Sequence, residues 1–242
     1  MNVTPEFERC AKSFSGCDGG NLKGSSWLCG VEWGMGVKHV LEEQLKKPDT
    51  KSPQVYKTPE DALKGPSGRP FPVNLMFLKL ISAMRGRPVE DWRSIAYEKP
   101  FPFHRRSDFF KLNLFPIAFN NREAPWTDDE KKLTGLATKA EYYEWCRENR
   151  FPRIRSWVKR GRPRLIICVG LEDQLDYQKA FGLGGVVNSE RIEGVRLVWM
   201  SDGRAIFAVV PYPSSQSGLN SNKRIQAFGK RLRDILRRPG RS

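Results

Sequence analysis

A run of apolar residues between Arg164 and Gly170 constrains the fold more than any other feature of the sequence. Five consecutive apolar residues between a charged residue and a glycine are typical of a strand that is buried on both faces of a sheet. A helical pattern follows directly over Leu171–Phe181. Because a buried strand followed by a helix is the repeating unit of α/β domains, we expect the rest of the chain to repeat it.

Other segments carry the same two patterns. Strands are predicted over Trp27–Val31, Asp108–Pro116, Gly194–Met200 and Ala205–Val210. The turn signal Ser201–Arg204 joins the last two as a hairpin. Further helices are predicted over Val37–Lys47, Val73–Arg85, Lys139–Lys159 (with Pro152 as a break or a new start) and Ser221–Arg238. Strands separated by helices predict an α/β fold, a three-layer α/β/α domain around a central, mostly parallel sheet.

The chain is expected to form one domain over residues 1–242, because its length and its 39% hydrophobic content are enough for one sizeable core. Residues 1–25 are expected to be an N-terminal loop region, since Ser13–Ser26 is rich in glycine and serine. Residues 48–72, rich in Pro, Gly, Lys and Ser, are predicted to be an insertion loop. Residues 221–242 are predicted to form a basic helix and tail.

The charge balance indicates a polyanionic partner. Lys and Arg number 42 against 27 Asp and Glu, a formal net charge of +15, and nucleic acid is the commonest polyanion for such a chain. The basic clusters Arg147–Arg164 and 223–238 are expected to be mostly a solvated face with a diffuse electrostatic role. No apolar run could span a bilayer and Met1–Cys10 is no signal peptide. We therefore expect a soluble, cytoplasmic, monomeric protein that binds single- or double-stranded DNA and no membrane.

The cysteines do not indicate a disulfide framework or a metal site. Their number is odd, five, and none forms a CxxC pair. Cys29 and Cys168 lie inside predicted strands, where a cysteine usually acts as a small buried hydrophobe. Cys10 and Cys17 lack partners at metal-ligand spacing. We expect no metal and no organic cofactor.

Three short segments combine a strand end with polar and turn-forming residues. They are Gly30–Gly34, Leu112–Pro116 and Pro211–Ser215. Open α/β sheets place their sites at strand ends of this kind. We therefore expect the functional side chains to come from these segments.

These segments, with one more, resemble motifs of the uracil-DNA glycosylase superfamily, and the nearest branch is the single-strand-selective monofunctional uracil-DNA glycosylases. Gly30–Gly34 matches the frame of the family's first motif, and Asn113–Pro116 within Phe110–Phe119 is similar to its N-L-x-P segment. Arg69–Pro72 resembles its V-P-F-G segment, and Tyr212–Ser214 its H-P-S motif. The order of the motifs is kept over Trp27–Leu236. The resemblance implies an enzyme that flips one base out of DNA and hydrolyses its bond to the sugar.

The resemblance assigns roles to residues of the first two motifs. Glu32 stands where the family has the Asp or Asn that orients water, and a carboxylate near C1′ can also stabilise the oxocarbenium-like sugar. The alternative is a helix N-cap neighbour or a solvated carboxylate. Asn113 matches the Asn that recognises the base, since an amide offers both a donor and an acceptor. The alternative is a buried Asn that ties a loop to the strand end.

Aromatic residues complete the implied pocket. Phe71 matches the ring that stacks on the base, with a core phenylalanine as the alternative. Trp33, where the family usually has proline, is a second wall, a bulky block or a residue of the pocket rim. Tyr212 stands where many members have a histidine that supports the leaving base. A phenol can also donate that hydrogen bond, and the alternative is a structural hydroxyl.

The last motif implies contacts with DNA. Ser214 and Ser215 are expected to position a phosphate. Leu219 is the candidate for the wedge that the family inserts into the duplex, with packing on the last helix as the alternative. The remaining candidates for contact with DNA are Asn220, Lys223 and Arg224.

The departures at Glu32, Trp33 and Tyr212 predict a pocket rebuilt for another base than uracil. That base is expected to be a damaged or modified pyrimidine, or a hypermodified base of phage DNA that a defence enzyme would remove. No lysine occupies a motif position, so a hydrolase rather than a lyase is expected. One alternative is a catalytically silent DNA-binding protein on the same scaffold. Another, a metal-dependent nuclease, needs clustered carboxylates that Asp173, Asp176 and Asp202 do not convincingly supply.

Overall fold

The computed structural model describes residues 1–32, 42, 45–46, 48, 53, 56–63, 71–119, 124–213 and 218–237. The strands are β1 Gly19–Gly20, β2 Ser26–Gly30, β3 Phe109–Asn113, β4 Leu165–Val169, β5 Asn188–Ile192, β6 Val195–Ser201 and β7 Ile206–Val210. The helices of the described residues are α1 Pro5–Ala11, α2 Pro59–Leu63, α3 Pro72–Met84, α4 Trp92–Ala96, α5 Asp128–Thr134, α6 Lys139–Asn149, α7 Phe151–Gly161, α8 Gln174–Phe181 and α9 Asn222–Arg237. Short 3₁₀ turns occupy Val89–Asp91 and Leu171–Asp173.

The strands form one mixed sheet in the order β1-β3-β2-β4-β7-β6-β5. The four central strands β3, β2, β4 and β7 are parallel, and β1, β6 and β5 add antiparallel pairs at the two sides. The chain passes from β2 to β3 on one side and later to β4 on the other. The point where the strand order reverses therefore lies between β2 and β4, where open α/β sheets bind ligands.

Each face of the sheet has its own apolar core, which confirms the α/β fold and its three layers. Along β2, Trp27 and Cys29 pack into one core and Leu28 into the other, as the alternation of side chains in a strand requires. Helices α1, α6, α7 and α8 cover the first face, and α3, α4 and α9 cover the second. The strands carry apolar side chains on both faces of the sheet because helices cover both faces.

The predicted break in the helical segment Lys139–Lys159 is confirmed. Helix α6 ends at Asn149 and α7 begins at Phe151, with Pro152 in its first turn. Proline lacks an amide hydrogen, and the first turn of a helix is the place where that hydrogen has no intrahelical partner.

Two expectations about loops need correction, and one strand was missed. Residues 1–25 contain α1, whose first turn is capped by the Thr4 side chain, and also β1. Residues 48–72 contain α2, and α3 already begins at Pro72. Strand β5 was missed because its sequence Asn-Ser-Glu-Arg-Ile is polar and largely exposed at the edge of the sheet. The predicted helix Val37–Lys47 falls mostly outside the described residues.

Candidate active site at the carboxyl ends of the strands

The carboxyl ends of β2, β3, β4 and β7 meet at one edge of the sheet, which we call the carboxyl edge. Gly30 is paired with Asn113 in the register of β2 and β3, and Val169 with Val210 in that of β4 and β7. The chain stays paired beyond the strands, because the Phe115 amide donates to the Val31 carbonyl at 2.9 Å. The described parts of the three predicted strand-end segments therefore lie along one edge.

Glu32 lies two residues beyond β2 and is half-buried. The phenolic hydroxyl of Tyr143, on α6, donates a hydrogen bond to its Oε1 at 2.6 Å. The Tyr143 ring packs edge-on against Phe115, 4.7 Å between centroids. The carboxylate at the end of β2 is thus held by a helix on the first face of the sheet. Sequence reasoning missed Tyr143, since a tyrosine on a polar helix gives no signal of its partner.

Asn113 ends β3 and is only 4% exposed. Its Nδ2 and its backbone amide both donate to the Gly16 carbonyl, at 3.3 and 2.8 Å. The side chain therefore makes the tie between a loop and a strand end that was the alternative to base recognition. Its Oδ1 lies against Gly30, where a Cβ would come within 2.4 Å of it. Only glycine at position 30 leaves room for this amide.

Arg150 is fully buried and is an exception to the mostly solvated basic face expected of its cluster. Its five hydrogen bonds, 2.7–3.4 Å long, go to backbone carbonyls of Ala11, Ser13, Ser15, Asn113 and Leu114. A buried charge is costly unless hydrogen-bonded, and the planar guanidinium meets that need with its five N–H donors. Arg150 therefore fixes the loop after α1 to the carboxyl edge.

The other half of the edge gathers around Gly170, which has a φ of +117°. A Cβ at that position would lie 2.9 Å from the Tyr212 ring and 3.0 Å from Asp173 Oδ2. Asp173 is 3% exposed, and Tyr177 below it donates to the Val169 carbonyl at 2.7 Å. A buried carboxylate and a tyrosine ring thus flank the end of β4. Sequence reasoning had considered Asp173 only as a metal ligand.

The buried thiols beneath this edge are held in their neutral form. Burial raises the pKa of the Cys29 thiol well above its ordinary value of 9.0, and nearby Cys168 and Cys17 raise it further. Burial also raises the pKa of Cys168. Cys29 and Cys168 are 0% and 1% exposed, so the prediction that they act as small buried hydrophobes is confirmed.

Phe71 lies at the start of α3 and is 37% exposed, unlike a core phenylalanine. Farther along α3, the Phe77 ring lies 5.7 Å from the Phe109 ring, and Arg85 stands over that ring. Phe109 is the first residue of β3, so the later part of α3 lies toward the amino ends of the strands. The start of α3, with Phe71, therefore points to the carboxyl edge.

The DNA-contact candidates are only partly confirmed as surface residues. Leu219 is 1% exposed and packs in the core of the second face, so the wedge interpretation is wrong and the alternative, packing inside, holds. Asn220 is exposed and its Oδ1 accepts from Arg224, which also donates to the Gly218 carbonyl. Lys223 is exposed and pairs with Glu193 at 2.6 Å. The candidates Trp33, Ser214 and Ser215 lie outside the described residues.

Comparison of the chain with protein-family models and with curated proteins gives no match. Among the described residues, no helix has both the length and the apolar character needed to cross a membrane. Within the same residues, no group of three or more His, Cys, Asp or Glu side chains is placed to hold a metal ion.

Proposed function

We propose that the protein is a monofunctional DNA glycosylase, which hydrolyses the N-glycosidic bond of a flipped, damaged or modified pyrimidine and leaves an abasic site. One observation carries the proposal: the Glu32 carboxylate is held by Tyr143 at the end of β2, beside the reversal of strand order. Ligands of open α/β sheets bind at this place. A single oriented carboxylate is the group that the hydrolysis needs most.

Glu32 would act on the sugar side of the bond. Breaking an N-glycosidic bond leaves positive charge on the sugar, and a fixed carboxylate stabilises that charge while it orients water toward C1′. The hydrogen bond from Tyr143 holds the carboxylate in place before the substrate arrives. The role of a prepositioned charge is to avoid reorganisation during the reaction.

Three other residues would act on the base. Phe71, exposed at the start of α3, would stack on the flipped ring. Asn113 gives one N–H to the Gly16 carbonyl, and its second N–H would be the one offered to the edge of a base. Tyr212, packed against Gly170, would donate its hydroxyl to the departing base.

The net charge of +15 supports DNA as the substrate, because neutralised phosphates release counterions and strengthen binding. The rebuilt pocket extends the substrate class to hypermodified bases of phage DNA, which would make the protein a defence enzyme. As part of the same proposal, the protein acts as a monomer on cytoplasmic DNA.

The proposal is tested by abasic-site formation on a DNA panel. The panel holds uracil, hydroxymethyluracil, oxidised and alkylated bases, hypoxanthine, and phage DNA with glucosylated cytosine. We expect alkali-labile breaks with one substrate, lost in Glu32→Gln. The matched control is Glu172→Gln, which removes an exposed carboxylate just after β4 and should leave the breaks unchanged.

The second candidate is a catalytically silent DNA-binding protein, favoured by the internal positions of Asn113 and Leu219. It predicts salt-sensitive DNA binding, no abasic sites on any substrate, and no effect of Glu32→Gln. Binding without breaks across the whole panel would therefore replace the enzyme with this binding protein.

A further inference from the structure

A cleft of about 350 Å³ lies between α1, the loop that follows it, and α7. The residues that line it are Arg9, Lys12, Ser13, Phe14, Arg153, Ser156, Trp157 and Arg160. Four of them are cationic and none is acidic. The cleft is thus a concentrated positive site on a different part of the surface from α9.

Two stacked rings form the buried side of the cleft. The Phe14 and Trp157 centroids lie 4.8 Å apart at an interplanar angle of 17°, and the rings are 8% and 5% exposed. The guanidinium of Arg160 stands 5.8 Å from the centre of the Phe14 ring. An apolar base under a cationic rim suits a sugar–phosphate chain, since sugars contact apolar surface while phosphates contact arginine.

Within the described part of the chain, the arginines of this cleft are not used in ion pairs. Lys12 pairs with Glu8 at 2.5 Å, but among the residues that the structure describes no salt bridge includes Arg9, Arg153 or Arg160. All three are exposed. Like charges gathered around one concave site repel one another, and an anionic ligand removes that repulsion.

Some arginines elsewhere in the chain have carboxylate partners. Arg147 binds Asp176 at 2.8 Å, and Arg85 binds Glu98 at 2.5 Å. Each of these structural arginines has a carboxylate partner. Arg9, Arg153 and Arg160 are instead exposed around one concave site, and the guanidinium matches phosphate geometry in particular.

The cleft is connected to the carboxyl edge through Arg150. This residue binds the carbonyls on both sides of Phe14, those of Ser13 and Ser15, and also the Asn113 carbonyl at the end of β3. Arg153 lies three residues farther along, about 5 Å by the rise of a helix. The end of the cleft at Arg153 is therefore about one helical turn from a residue that contacts the carboxyl edge.

We propose that this cleft binds the phosphodiester backbone of the DNA substrate, away from the reacting nucleotide. The inference rests on the proposed function only in taking DNA as the ligand. It does not depend on the cleavage reaction. The cleft contributes affinity for DNA, and the glycosidic bond is cleaved at the carboxyl edge.

The test compares two double variants with the same change in charge. Arg153→Glu/Arg160→Glu reverses two charges in the cleft. Lys159→Glu/Arg164→Glu reverses two exposed charges near the end of α7 that do not line it. Binding to fluorescent single-stranded and duplex oligonucleotides is measured by anisotropy between 50 and 300 mM salt, and circular dichroism checks that each variant is folded. Arg153→Gln/Arg160→Gln replaces the cleft variant if it does not fold.

We expect the cleft variant to raise Kd about tenfold or more and to lower the slope of log K against log salt by about two, one for each phosphate that the variant no longer neutralises. The control should change Kd less than about threefold. An equal loss of DNA binding in both variants would mean that these arginines act only through the overall positive charge of the protein, which would overturn the proposal. No weakening in either would overturn it as well.

The excision assay separates this inference from the proposed function. At saturating DNA the cleft variant should keep the wild-type kcat and show a raised KM. If the cleft variant forms abasic sites with an unchanged KM, the proposed role of the cleft is wrong and the proposed glycosylase activity is supported. Selective loss of DNA binding in a protein that forms no abasic site overturns the glycosylase and leaves the cleft.

Discussion

Tyr143 donates its phenolic hydrogen to Oε1 of Glu32 across 2.6 Å, so helix α6 holds the carboxylate that lies just beyond β2. Tyr143→Phe removes that donor and keeps the packing of the ring on Phe115. A hydrogen bond to a charged group contributes about 1.5–3 kcal/mol. We expect the single-turnover rate of abasic-site formation to fall about 10- to 100-fold with unchanged DNA affinity.

The control for this prediction is Tyr97→Phe. Tyr97 is half exposed and also hydrogen-bonds a carboxylate, that of Glu60, in another part of the fold. It should leave the excision rate unchanged. A rate loss of the same size in both variants, or none in Tyr143→Phe, would contradict a positioning role for Tyr143.

Replacement of Arg150 is expected to lower the stability of the fold strongly. In Arg150→Met, five backbone carbonyls lose a charged donor in the protein interior. We expect the free energy of unfolding to fall by about 3–5 kcal/mol and Tm by about 6–20 °C. Arg155→Met, which removes one bond to the Lys179 carbonyl, should cost about 1 kcal/mol. Thermal unfolding by circular dichroism measures both, and similar shifts would refute the central role of Arg150.

Gly30 and Asn113 predict a coupling between two substitutions. A Cβ at Gly30 would lie 2.4 Å from Asn113 Oδ1, so Gly30→Ala forces the buried amide to move and should cost about 1–3 kcal/mol. Asn113→Ala removes the obstacle, and Gly30→Ala should cost less in that background. Urea unfolding of the four proteins of the cycle should give a coupling of about 1 kcal/mol or more. Additive effects would mean that the amide is free to rotate away.

The sequence predicted what depends on local patterns. Apolar runs predicted β2, β3, β4, β6 and β7, and the segments at the strand ends were expected to supply the functional side chains. The same patterns could not show that Arg150 is buried, because its partners are carbonyls between 36 and 139 residues away. The Gly-Leu-Asn sequence does not indicate whether its leucine side chain faces the core or the solvent. Leu219 packs in the core rather than toward DNA. Long-range contacts, rather than propensities, decide such positions.

The buried thiols predict a loss of stability in alkaline solution. Burial raises the pKa of Cys29, Cys146 and Cys168 above their ordinary value of 9.0, so above that pH the unfolded chain loses protons that the folded protein keeps. The contribution of these groups is therefore constant below pH 9 and declines above it. Above pH 9 the free energy of unfolding should fall by about 1.4 kcal/mol per pH unit for each thiol. For the three thiols together the fall is about 4 kcal/mol per pH unit. Urea unfolding from pH 7 to 10.5 in reducing buffer measures it. Cys168→Ala should remove about a third of the slope. An identical slope in that variant would assign the decline to Tyr142 and Tyr177, whose pKa is also raised by burial.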